Sequence, residues 1–303
     1  MITRDIDAFV AHARTLSTDF GAPTARAAFL VAPDDFRLAT DSARDNRYMA
    51  DADAFDARRA LDEHRGLHRA LSQALPTVCF PGDPEAPDGV FPNNVFATAA
   101  GRCIVGRMRH PVRQREATRA DIRGFFGGVL DYAEIDLSEQ GHPCELTGAL
   151  VIDRARGLGW CGLSERCDEE GAHLMHEAFG LRATLLFDLA PGEYHTNVVL
   201  AVLAGRAALA CPRGFADAAV IDALAQVYGP HAIVLSDAEH AAFAGNAIAL
   251  SPETVWMSAR ADAALAPATR TALANAGFDV RSVPLAAIEA AGGSLRCCVG
   301  EVF

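Results

Sequence analysis

Apolar positions in this chain come in short runs rather than long helical stripes, and the runs come in pairs. Four pairs read as β-hairpins, each an apolar run, a tight turn and a second apolar run: VFATAAGRCIVGRM (95–108), GALVIDRARGLGWCGL (148–163), NVVLAVLAGRAALACPRG (197–214) and NAIALSPETVWMSAR (246–260). Their starts lie about 50 residues apart. After the second, third and fourth hairpins a helical pattern follows, in ERCDEEGAHLMHEAFG, ADAAVIDALAQVYG and DAALAPATRTALANAGF, two of them closed by a capping Gly. Each helix leads to another short strand: ATLLFD (183–188), AIVLSD (232–237) and DVRSVP (279–284).

The repeating unit is thus strand, strand, helix, strand. One copy cannot bury its own apolar face, so several must pack around a common centre in an α/β fold. A fifth unit is expected from the C-terminal SLRCCVGEVF together with AAFLVA (27–32), the helical ALDEHRGLHRALSQAL (60–75) and TVCF (77–80). No linker or composition shift divides the chain, so residues 1–303 are expected to form a single domain. The Asp- and Ala-rich stretch from Pro33 to Asp56 reads as a mobile loop or lid.

The period also places polar residues. Asn94, Glu145, His195, Asn246 and Cys297 stand at or just before the hairpin starts, separated by 51, 50, 51 and 51 residues. Equivalent positions in units about a pseudo-axis converge. A thiol, an imidazole, a carboxylate and two amides together make a nucleophile, a proton carrier and hydrogen-bonding groups for a polar substrate. Taken singly, each has a blander reading: a turn residue, a strand-end charge or a core thiol.

Composition narrows the chemistry. With 27 basic and 39 acidic residues the net charge is −12 and the pI about 5.2, so neither nucleic acid nor an anionic membrane is an expected partner. All 27 basic residues are Arg, which excludes a Schiff-base or phosphate-loop lysine from this chain. The polar start MITRDIDAFVAHAR and the short longest apolar run, Val198 to Ala204, lead to the expectation of a cytoplasmic protein. The eight cysteines include no C-x-x-C pair, so free thiols are expected rather than disulfides or structural zinc.

At these positions the sequence resembles the guanidino-group-modifying superfamily, on FPNN (91–94), ELTGALVIDR (145–154), GLSER (162–166), YHTNV (194–198), FAGN (243–246) and GGSLRC (292–297). It is most similar to the branch of citrulline hydrolases. The resemblance implies a five-bladed α/β propeller (the pentein fold), with Cys297 as nucleophile, His195 as general acid/base and Glu145 as acceptor for substrate N–H groups. It also implies Asn94 as a substrate contact and Arg166 as a carboxylate anchor, and it requires no metal or cofactor; Asn93 and Asn246 are expected as further substrate contacts. Two departures stand out: Leu146 replaces a common Gly, and Cys167 a common Thr, beside Glu145 and Arg166.

The chemistry so implied is thiolate attack on a planar carbon bearing nitrogen, with an imidazolium at His195 lowering the thiol pKa and protonating the departing amine. An amide at residue 94, where deiminases carry Asp, suits a neutral ureido group and so favours citrulline, hydrolysed to ornithine, carbon dioxide and ammonia. Asp188 or Asp88 as a second carboxylate would instead suit a cationic guanidinium, making an arginine or dimethylarginine hydrolase or deiminase the alternative. A non-catalytic binder of an amino acid or protein is the rival from another class.

The cluster Arg107, Arg109, Arg113 and Arg115 reads as a solvated loop from which Arg113 or Arg115 could close over a carboxylate. His173 and His176 read as a polar helix face rather than a metal site, and Gly292-Gly293 as a tight turn into Cys297. The oligomeric state stays open, a homodimer included.

Overall fold

The computed structural model describes residues 1–34, 36–38, 41–49 and 55–303. Of the stretch expected to be a mobile lid, residues 35, 39–40 and 50–54 therefore lie outside the described residues. The described residues form a mixed α/β fold with five separate sheets.

Each sheet repeats one local plan: an antiparallel pair, a hairpin in four of them, whose second strand also pairs, in parallel, with a strand that follows the intervening helical segment. The pairs Phe96–Ala99 and Arg102–Val105, Leu150–Asp153 and Leu158–Leu163, Leu200–Leu203 and Ala207–Ala210, and Ile248–Ala249 and Thr254–Ser258 are the four hairpins. Their parallel partners are Ala133–Asp136, Ala183–Asp188, Ala232–Val234 and Asp279–Val283. In the fifth sheet the C-terminal Gly300–Val302 pairs antiparallel with Ala27–Val31, which runs parallel to Thr77–Phe80, as the expected fifth unit requires.

The first strand of each hairpin is buried, and these strands flank one another. Gly300–Val302 lies against Phe96–Ala99, and Leu200–Leu203 against both Leu150–Asp153 and Ile248–Ala249. Helices Ala57–Ser72, Glu169–Phe179 and Ala219–Tyr228 cover the outer strands with apolar faces, the second ending on Gly180 in the left-handed conformation.

Three differences from the pattern have local causes. The helical stretch 262–278 is broken into Ala259–Ala264 and Pro267–Asn275, because Pro267 has no N–H to continue a helix but fits the first turn of a new one. After the first hairpin the chain forms short turns, Pro111–Gln114 and Ala120–Gly124 among them, before the largely exposed strand Ala133–Asp136. The glycines at 124, 127 and 128 and the exposure of that strand erase the periodic signal. At the N-terminus, Ile2–Thr3 adds a parallel strand to the second sheet, and helix Ile6–Ala13 packs Phe9 edge-on against the buried Trp160, ring centroids 5.0 Å apart. No helix among the described residues is long and apolar enough to cross a membrane.

Leu146, where a glycine is common, keeps a positive φ of 27° and is fully buried. Its side chain fills the space above Gly106, where an added Cβ would come within 2.6 Å of both Leu146 Cγ and the Cys144 carbonyl. Bulk missing at 106 is supplied from 146. Gly106→Ala is therefore expected to destabilise the protein by about 1–3 kcal/mol through overpacking. A urea melt would check this, and an unchanged midpoint would contradict it.

Candidate functional site

A short segment precedes the first strand of each sheet's repeat, and at 146, 196 and 295 that segment is a single helical turn rather than the strand the pattern suggested. Pro92–Asn94 contacts Leu146–Ala149 and Leu295–Cys298, and Leu146–Ala149 contacts Thr196–Val199. Turns this short leave backbone groups without helical partners. Side chains one repeat away supply them. The Arg296 N–H donates to Asn246 Oδ1 at 3.0 Å, Asn246 Nδ2 to the Asn197 carbonyl at 2.8 Å, Asn197 Nδ2 to the Thr147 carbonyl at 3.0 Å, and Thr147 Oγ1 to the Asn93 carbonyl at 3.0 Å.

This network fixes a buried reactive group. His195 Nε2 donates to Glu145 Oε2 at 2.7 Å, so the lone pair of a neutral ring sits on Nδ1. That Nδ1 is buried without a partner, and so is Asn94 Oδ1. Both lie beside Gly148, where an added Cβ would fall 2.7 Å from Asn94 Oδ1 and 2.9 Å from His195 Nδ1. The glycine lets the two approach. Buried orphan acceptors of this kind mark a place for a missing donor.

Glu145 is fully buried and accepts from the Arg109 backbone N–H at 2.9 Å and from Arg166 Nη1 at 3.3 Å. Burial pushes its carboxyl up, but Arg166, His195 and Arg113 outweigh that and hold it well below the usual carboxylate range.

Cys297 is also buried. Its sulfur accepts from Asn246 Nδ2 at 3.3 Å and lies 3.7 Å from Asn197 Oδ1. It opens on a narrow cavity of about 20 Å³ that is also lined by Asn94, Asp88, Arg113, Arg166 and Tyr194. That is room for a water or so, well short of an amino acid. The roof is Ser42 and Asn46, from the described part of the expected lid.

Burial pushes the Cys297 thiol up, with only partial relief from the Asn246 N–H, and burial pushes the His195 imidazole down against the opposing pull of Glu145. Both shifts run against an imidazolium–thiolate pair in the ligand-free protein, because charge is poorly solvated here.

The other expected site residues divide. Asn94, Arg113 and Arg166 line the cavity; Asn93 and Asn246 do not, being used between neighbouring turns, with Asn93 Nδ2 donating to Thr147 Oγ1 at 3.3 Å. Arg113 is no part of a solvated loop. It is buried, with Nε and Nη2 each 2.8 Å from the Glu116 carboxylate, whereas Arg115 is exposed. Asp188 is exposed beside Arg4, so of the two extra carboxylates considered only Asp88 reaches the cavity. Among the described residues no cluster could hold a metal ion, and His176 Nδ1 instead meets Thr184 Oγ1 at 2.8 Å.

Sequence reasoning missed Asn197, although it stands in the quoted YHTNV, and Asp45, whose carboxylate meets Arg166 at 2.7 and 2.6 Å and for which the pattern held no signal.

The geometry has counterparts in known proteins. A family profile described as N,N dimethylarginine dimethylhydrolase, eukaryotic, matches residues 32–303. The N(G),N(G)-dimethylarginine dimethylaminohydrolase of Mycobacterium tuberculosis is 27% identical over 216 residues, 71% of this chain and 66% of the relative, so the match spans a little under two thirds of that protein. Among solved structures, the N-terminal domain of ArgZ, a cyanobacterial arginine dihydrolase, superposes with a TM-score of 0.79 at 21% identity, covering 91% of this chain and 97% of that one. Full-length ArgZ gives 0.80, with only 40% of its chain covered. A dimethylarginine dimethylaminohydrolase carrying a chloropyridine adduct gives 0.69 at 20% identity, covering 92% of this chain and all of the other.

In the ligand-free protein, the rate of Cys297 alkylation by iodoacetamide is expected to keep rising through and above the ordinary thiol pKa of about 8.5, because only the thiolate reacts. A pH–rate series followed by peptide mass would check this; a plateau reached by pH 7 would refute it.

Proposed function

The chain belongs to the N,N dimethylarginine dimethylhydrolase family, and from that premise we propose that it is a cysteine-dependent hydrolase that cleaves a C–N bond in the guanidino group of an amino acid, arginine or an N-methylated arginine. The five sheets are then the blades of a five-bladed α/β propeller forming one domain. The observation that carries the reading is a buried thiol and a buried His195–Glu145 pair joined, through Asn94 and the turn network, to one cavity around which carboxylates outnumber guanidiniums.

That excess speaks for a guanidino rather than a ureido substrate. Asp88, Arg113 and Arg166 line the cavity, and Glu145, Asp45 and Glu116 pair with the two arginines, giving four carboxylates against two guanidiniums. Burial pushes the Glu116 carboxyl up to about 7, and counting it as neutral still leaves three against two. A cationic guanidinium offsets the imbalance; a neutral ureido group does not. The expectation of citrulline gives way on this ground, and on the names of the relatives.

The steps follow from the arrangement. A guanidinium seated beside Cys297 lowers the thiol pKa by its charge, which the neutral imidazole does not. The thiolate forms a bond to the guanidino carbon. The proton released by the thiol is taken up at His195 Nδ1 while Nε2–H stays on Glu145. The imidazolium so formed gives it to the departing amine as the C–N bond breaks; the neutral ring then takes a proton from the water that attacks the covalent intermediate, and as the C–S bond breaks that proton returns to the sulfur. Asn94 Oδ1 accepts from a substrate N–H.

Citrulline hydrolysis is the second reading, favoured by the amide at Asn94, which can donate to a ureido oxygen. A panel of arginine, N-methylated arginines, agmatine and citrulline, read by amine, ammonia, citrulline and ornithine release, separates the two. Turnover of a guanidino amino acid is expected, with a loss of at least about a thousandfold in Cys297→Ala. Attack on citrulline alone would hand the protein to the second reading, and a Cys297→Ala variant of full activity would end the mechanism.

A further inference from the structure

The segment 41–49 is strapped over the cavity by contacts along its length. Ser42 Oγ donates to Asp88 Oδ2 at 2.5 Å, and the Ser42 carbonyl accepts from Arg166 Nη2 at 3.3 Å. Asn46 Nδ2 donates to the Gly292 carbonyl at 3.2 Å, and Met49 forms a β-bridge with Ala291. Arg47 and Tyr48 reach the carboxylate of Glu193, two residues before His195.

At the centre of the strap is Asp45. Arg166 presents Nε and Nη2 to its two carboxylate oxygens at 2.7 and 2.6 Å, the two-pronged geometry in which arginine holds a carboxylate, and His110 Nε2 lies 3.1 Å from the same group. The Arg166 side chain is almost wholly buried and lines the cavity into which Cys297 opens. The cavity is too small for an amino acid, and it is roofed by Ser42 and Asn46 of the strap that Asp45 pins to Arg166.

We infer that Asp45 is a built-in competitor for the substrate's carboxylate, and that exchange of one carboxylate for the other on Arg166 is what opens the strap and selects substrates bearing a free carboxylate. The exchange is nearly neutral in charge: Arg166 keeps a carboxylate partner throughout, with Glu145 Oε2 3.3 Å away in addition. A guanidine without a carboxylate has nothing to offer Arg166. To enter, it must strip a buried guanidinium of its best partner, which is costly. A ligand opens a closed state only by binding the open one better, and here the carboxylate supplies that difference. In its substrate half this rests on the proposed function; the accessibility of Cys297 does not require turnover.

The test compares the full-length protein with Asp45→Asn. Without substrate, alkylation of Cys297 by iodoacetamide, followed across pH so that a change in thiol pKa is not mistaken for a change in access, is expected to speed up about tenfold, since a two-pronged ion pair becomes a single bond from the guanidinium to a neutral amide oxygen. The KM for the guanidino amino acid is expected to fall, and the preference for arginine over agmatine to narrow by about tenfold. In the unaltered protein, acetate, which can replace Asp45 on Arg166 without reaching Cys297, is expected to accelerate alkylation, while methylammonium chloride at the same ionic strength does not; this arm decides the matter if Asp45→Asn fails to fold. Unchanged alkylation in both arms, or a KM for arginine that rises in Asp45→Asn, would overturn the inference, the latter marking Asp45 as a substrate contact. Faster alkylation in a protein inactive on every guanidine would strike the proposed function and leave the strap standing.

Discussion

The site depends on a lateral relay in which a polar side chain at the start of one sheet satisfies the backbone of the next. From Arg296 through Asn246, Asn197 and Thr147 to Asn93, four hydrogen bonds of 2.8–3.0 Å join residues 49 to 54 apart in sequence. Each bond serves backbone groups that a one-turn helix cannot satisfy for itself, in buried surroundings. The turns therefore cannot drift independently. Glu145, His195 and Cys297 ride on them, and their mutual placement is set by backbone-directed bonds rather than by their own weaker contacts.

Around that frame the buried charges are arranged in opposed sets. Arg166 joins Glu145 to Asp45, and Arg113 joins Glu116 to the neighbourhood of Asp88, its Nε 3.9 Å from that carboxylate. A buried charge is tolerable only with a partner, so any ligand that displaces one member has to replace its charge. Binding at this site is consequently a problem of exchange more than of filling space, which fits a cavity that is nearly closed. Burial of the site raises the Cys297 thiol and lowers the His195 imidazole.

Much of this was legible along the chain. The 50-residue rhythm of paired apolar runs located the hairpins, and the strands Thr77–Phe80 and Ala183–Asp188 fall where the runs put them. The period also picked out Asn94, Glu145, His195 and Cys297, because residues at equivalent points of a repeat share an environment. It did not distinguish side chains that face the cavity from those that brace the turns. Asn93 and Asn246 look like their neighbours in sequence, and only the direction of each amide, fixed by a partner one repeat away, separates the two roles. The arginine run from 107 to 115 was misread for the same reason: Arg113 is buried because Glu116 and Asp88 meet it, and the contact with Asp88 spans 25 residues.

The chain by itself thus determined the repeat, the inventory of reactive groups and the absence of lysine chemistry, since these follow from residue type and spacing. The tertiary structure alone decided which carboxylate balances which arginine, that Asp45 occupies Arg166, and that the thiol and imidazole are both pressed toward neutrality. Those outcomes turn on burial and on distances between residues up to 121 apart in sequence. Coulomb energies in a dry interior depend on separation in space, for which local pattern holds no measure.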